Sequence, residues 1–243
     1  MNVRKLLVLG SSVALRVRPT SSPRYSNKPY AQLTEEYLNL DSSDDVFIAN
    51  NISFSRAIVK EYLNKRDVIS GLNPEYIIIN LGIVDAPSRD IPLWFSDIIF
   101  KRKWKILFPS FSFLYNNFFK GNTRRFFTNL RFRKSWVSEK SFKKDFNTLI
   151  ETIKRESFAK IIIIGINKGS QRIENELPGT LVKIERYNTI LKELSKTHKL
   201  KFISTSDLES ETYFPDGVHY NTKGHKYIAK LITSQIQSDD PIR

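Results

Sequence analysis

Cysteine is absent from the 243-residue chain. Disulfides, thiolate nucleophiles and cysteine-ligated zinc or iron–sulfur centres are thereby excluded. The same absence suits a reducing compartment. Long apolar runs are also missing. Residues 6–9, which precede Gly10, are too few for the core of a signal peptide, and no stretch approaches the roughly 18 apolar residues of a membrane span. The expected location is the cytoplasm. No repeat and no low-complexity tract interrupts the chain. Acidic residues are scarce: 25 Asp and Glu face 39 Lys and Arg, a formal charge of +14. They are scarcest in residues 101–144, where Glu139 stands alone against thirteen Lys and Arg. Such an excess calls for an acidic partner: nucleic acid, an anionic membrane or an anionic substrate.

What is present is an alternation. Short β-rich runs fall at residues 5–9, 45–49, 76–81, 160–165 and 200–204. Helical patterns fall at 54–65, 139–156, 181–197 and 223–237, with a further candidate at 31–40. Strands apolar on both faces belong in a parallel sheet covered by helices. The pattern predicts a three-layer α/β/α fold, with one domain spanning 1–243 and a flavodoxin-like sheet. Residues 86–138 break the rhythm and read as an insertion after the third strand. In such a sheet every strand's C-terminal end lies on one edge, where ligands bind.

Three stretches map to that edge. Gly10-Ser11-Ser12 follows the first strand, where a serine can be a nucleophile or a helix cap. Gly82-Ile83-Val84-Asp85 follows the third strand, where backbone N–H groups can stabilise an oxyanion or merely end a strand. Asp216-Gly217-Val218-His219 precedes the last helix. There a carboxylate can fix the tautomer of an imidazole, or simply start a turn. His198 reads as surface, and His225 as a packing or capping residue in the last helix.

Together these blocks resemble the SGNH (GDSL-type) hydrolase family, whose first block is Gly-Asp-Ser, third Gly-x-Asn-Asp and last Asp-x-x-His. Asn221-Thr222-Lys223-Gly224 continues the last block as the family often does. The resemblance implies Ser12 as nucleophile, His219 as base and Asp216 as its orienter. It implies oxyanion donors from the nucleophile's N–H, a second-block Gly and the third-block Asn. Here Ser11 replaces the first-block Asp, the second block at residues 50–55 has no Gly, and Val84 replaces the Asn. Gly82, Asn51, Ser53 and Arg89 are the candidates to bind oxyanion or substrate. The Gly-Ile-Val-Asp…Pro…Arg form is similar to bacterial SGNH-like proteins associated with surface polysaccharides.

That resemblance implies a serine esterase or O-acyltransferase acting on O-acyl, chiefly acetyl, groups of a carbohydrate, with no metal or organic cofactor. The alternative is a weak or inactive SGNH-fold binding or scaffold component of a polysaccharide assembly system. Arg16 and Arg18 are further candidates to line the cleft. The insertion holds Trp94, Trp104 and Trp136, and interleaves Phe111, Phe113, Phe118, Phe119, Phe126 and Phe127 with basic residues. Residues 93–138 can serve an anionic membrane surface at the inner membrane face, a protein partner, a lid or ordinary packing. No nucleic-acid motif accompanies them, so nucleic acid is not the expected partner.

Overall fold

A computed structural model of the chain describes residues 2–15, 17, 28–42, 45–100, 115, 117–118 and 120–239. Five strands, β1 (Asn2–Gly10), β2 (Asp45–Asn51), β3 (Tyr76–Asn80), β4 (Lys160–Ile164) and β5 (Lys201–Ile203), form one sheet. All pairs are parallel and the order is β2-β1-β3-β4-β5. This is the flavodoxin-like order expected from the alternation. The isoleucines of β3 and β4 are buried at every successive position, so side chains on both faces of the sheet are covered.

The covering helices fall into two groups. Helices α1 (Ser12–Leu15) and α2 (Tyr30–Asp41) come first in the chain. The pair α3 (Val59–Leu63) and α4 (Arg66–Gly71) follows β2. Beyond β3 lie α5 (Leu93–Phe100), α6 (Gly121–Leu130) and α7 (Glu139–Glu156). Beyond β4 come α8 (Gln171–Glu176) and α9 (Thr180–His198). After β5 come α10 (Ser210–Tyr213) and α11 (Thr222–Asp239). Helix α2 packs on α11, whereas α3, α4 and α9 pack on α7. Helix α7 shows why the sequence folds this way. Ser138 caps it by accepting the Ser141 N–H at 3.2 Å, and Phe142, Phe146, Leu149, Ile150 and Ile153 bury one stripe. In α11 the buried stripe is Ile228, Ala229, Ile232 and Ile236, while Tyr227 is exposed.

The helix expected at 54–65 is corrected. The chain beyond β2 keeps following β1, with Ile52 and Phe54 donating to the carbonyls of Val8 and Gly10. It then turns at Arg56, whose φ is +65°. Helix α3 starts only at Val59, where two acids collect its first N–H groups. Glu61 accepts from Ile58 at 3.0 Å, and Asp85 accepts from Val59 at 3.2 Å. At the base of the insertion, Ser88 forms an antiparallel bridge with Ser135, and the Arg89 N–H donates to Lys134 O at 3.0 Å. Arg16, Arg18, Trp104, Phe111, Phe113 and Phe119 lie outside the described residues. Among the described residues no helix is long and apolar enough to cross a membrane.

Asp85 is fully buried, and its second oxygen has no partner. Burial pushes its carboxyl up to about 7, against the opposing pull of the Val59 N–H and the Arg89 charge. Between about pH 4 and that value the folded chain holds a proton that the unfolded chain has lost. Stability therefore falls as pH rises through this window. Asp85→Asn keeps an acceptor for Val59 and removes the titration. In thermal melts at about pH 5 and about pH 8 the wild-type midpoint is expected to drop more than that of the variant. An equal drop in both would exclude Asp85 as the source.

Candidate active site

The C-terminal edge of the sheet gathers residues far apart in sequence. Strand β1 ends at Gly10, whose N–H and C=O both meet the Tyr62 hydroxyl, at 3.2 and 2.7 Å. This anchor fixes the handover into α1. Ser11 is fully buried with its hydroxyl unpartnered, whereas Ser12 is half-buried and lines a cleft of about 550 Å³. Of the two serines, only Ser12 faces that cleft.

His219 meets it from the other end of the chain. Its Nε2 lies 2.9 Å from Ser12 Oγ, and its Nδ1 lies 2.8 Å from Asp216 Oδ2. The other carboxylate oxygen, Oδ1, accepts the backbone N–H groups of Val218 at 2.9 Å and His219 at 2.7 Å. Asp216 thus shapes the turn with one oxygen and holds the imidazole with the other. Burial raises the Asp216 carboxyl, but the His219 ring and these two N–H groups more than offset it and hold it at about 2. The group is ionised at any ordinary pH. A carboxylate on Nδ1 favours the proton there, which leaves Nε2 free to accept one from Ser12.

The remaining candidates are placed as follows. Gly82 has φ +112°, and a side chain there would come within 2.6 Å of Ile166, so its glycine serves the turn after β3. Asn51 donates its amide to Ala14 O at 3.0 Å and accepts the Ser53 N–H at 3.1 Å. Neither Asn51 nor Ser53 lines the cleft, and the Ser53 hydroxyl is buried without a partner. Val84 lines it without a side-chain donor. Arg89 also lines it, donating to Val84 O at 2.7 Å. His225 is fully buried and accepts the Tyr30 N–H at the start of α2, at 3.0 Å. His198, itself half-buried at the end of α9, meets Asn147 at 2.7 Å.

The cleft also holds residues that sequence reasoning missed. Arg56 lines it, and so do Asp90, Arg124, Arg172 and Glu176. Trp136 forms part of the same wall, with Arg89 stacked 4.1 Å and Arg56 5.1 Å from its ring centre. Arg56 directly follows the Asn50–Ser55 block, a position that could have singled it out. The acids announce themselves by no local pattern.

No family model matches the chain, and no curated protein matches its sequence. Solved structures do match its fold. The lipase/acylhydrolase from Enterococcus faecalis superposes with a TM-score of 0.62 at 16% identity, covering 97% of this chain and 96% of that one. The acetyl xylan esterase AlAXEase gives 0.59 at 15% identity, covering 96% and 99%. Axe2, an acetylxylan esterase from Geobacillus stearothermophilus, gives 0.59 at 17% identity, covering 96% and 94%. At these identities the likeness establishes the fold.

Gly217 sits inside the Asp216 turn at φ +80°, and a Cβ there would lie 2.2 Å from Ser170 Oγ. Gly217→Ala must strain the backbone and push aside the side chains of Ser170 and Ile173. Chemical denaturation is expected to give a loss of about 1–3 kcal/mol. A variant of unchanged stability would mean that the turn relaxes at no cost.

Proposed function

We propose that this chain is an SGNH-type serine hydrolase that removes or transfers O-acyl, chiefly acetyl, groups on a carbohydrate. The observation that carries the reading is the unbroken hydrogen-bonded series Ser12–His219–Asp216, in which the first two residues stand 207 apart in sequence. The fold match to a lipase/acylhydrolase and to acetylxylan esterases supports the reaction class and a sugar substrate. In the proposed reaction His219 Nε2 takes the Ser12 proton as Oγ attacks the ester carbonyl. Asp216 stabilises the imidazolium that results. His219 then returns the proton to the departing alcohol, which leaves an acyl-serine. Water or a sugar hydroxyl, deprotonated by His219 in turn, attacks the acyl carbon and frees the serine. The Ser12 backbone N–H is one donor to the oxyanion. With Val84 lacking a donor and the Asn51 amide engaged elsewhere, the rest of the stabilising field falls to the excess positive charge that lines the cleft.

That same loss of an amide donor favours the second reading, a fold kept for binding or as a scaffold in polysaccharide assembly. The two readings part on one experiment. A fluorophosphonate probe is expected to label the wild type and not Ser12→Ala, and aryl acetate hydrolysis is expected to follow the labelling. Asp216→Asn preserves an acceptor for the turn but removes the anion. Its kcat is expected to fall on the order of 10⁴-fold. A folded wild type that neither labels nor hydrolyses would leave the binding reading.

The described part of the insertion supports an anionic membrane as its docking surface. Phe126 and Leu130 lie one turn apart on α6 and are exposed, as is Phe132 beyond it. Arg125, Arg133 and Lys134 are exposed among them. Sedimentation with phosphatidylserine vesicles is expected at low salt and is expected to weaken in Phe126→Ser/Phe132→Ser. No pelleting at low salt would exclude this use of the surface.

A further inference from the structure

Among the described residues, cations outnumber anions along the cleft. Arg56, Arg89, Lys120, Arg124 and Arg172 line it, against the carboxylates Asp90 and Glu176. Both carboxylates are already engaged. Arg124 reaches Glu176 at 3.0 Å and Asp90 at 3.5 Å, and the Tyr115 hydroxyl donates to Asp90 at 2.7 Å. Arg89 donates a hydrogen bond to neither. Its guanidinium donates to one carbonyl, that of Val84, lies against the Trp136 ring, and keeps a buried Nε without a partner. Arg56 stacks on the same indole and on Phe100, 4.3 Å from the ring centre, and donates to Ser96 Oγ. Asp97 offsets part of the Arg56 charge. The Arg89 charge is disfavoured by burial and by the like charges of Arg124 and Arg56.

Two guanidiniums gathered around one indole repel each other and lose hydration. Such an arrangement is costly when empty of anions and well suited to holding one, because a guanidinium presents a planar fork to a carboxylate or phosphate. We infer that Arg89 and Arg56 form an anion subsite beside Ser12, and that the ester substrate carries a carboxylate or phosphate on the sugar unit that is deacylated. The word substrate rests on the esterase reading. The anion subsite itself does not.

The test separates the two. Calorimetry on Ser12→Ala, which cannot turn over, compares glucuronate, glucose 1-phosphate, inorganic phosphate and glucose. At least one anionic sugar is expected to bind about tenfold or more tighter than glucose, and Arg89→Gln in the same background is expected to abolish that preference. Preference for glucuronate identifies a carboxylate, and preference for glucose 1-phosphate identifies a phosphate. Arg89→Lys keeps the charge without the fork and is expected to restore only part of the preference. If Arg89→Gln fails to fold, Arg56→Gln carries the same comparison. Equal binding of all four ligands, or an anion preference that survives both glutamine variants, overturns the inference. Anion preference in a protein whose wild type takes no fluorophosphonate leaves the subsite standing and removes the esterase reading. Labelling without anion preference does the reverse.

Discussion

Parallel pairing is the constraint from which the rest follows. Strands that all run one way cannot be joined by tight turns, so each connection must cross a face of the sheet, and each crossing covers apolar side chains. The successive buried isoleucines of β3 and β4 are stable only under that double cover. The same constraint sends every strand end to one edge. Ser12, leaving β1, and His219, entering the last helix, therefore meet at 2.9 Å although almost the whole chain lies between them. Neither residue has a local reason to find the other.

The contribution of Asp216 is of the opposite kind. Its bonds to Val218 and His219 span two and three residues, so the turn and the imidazole's orientation are encoded in one short segment. This explains why the segment was legible in the sequence and why shaping the turn and holding the imidazole are compatible. The β-rich runs were legible because their apolar residues are contiguous. Arg89 was legible as a charge beside a conspicuous block. The helix start at Val59 was not, because it depends on a left-handed Arg56 and on Asp85 arriving from another strand. The second-block candidates Asn51 and Ser53 lie at the expected strand end, yet hydrogen bonds turn Asn51 toward Ala14 rather than the cleft. Side-chain direction at a strand end is set by such neighbours, and spacing alone does not carry it.

The basic segment divides once folded. Its sequence shows one block of positive charge, but Arg124 turns inward to Asp90 and Glu176 while Arg125, Arg133 and Lys134 face solvent. One stretch of chain thereby furnishes a wall of the cleft and an outer surface with exposed phenylalanines. A composition-level count merges these two uses into one number.

The placement of the aromatic residues has an optical consequence. All three tryptophans fall between residues 94 and 136, within the insertion. Trp136, with its indole N–H on Ile91 O at 2.9 Å, packs against two guanidiniums. The sheet and its helices are instead populated by buried tyrosines, among them Tyr30, Tyr62, Tyr76, Tyr187 and Tyr220. Indole emission therefore reports on the insertion and, through Trp136, on the cleft wall rather than on the sheet.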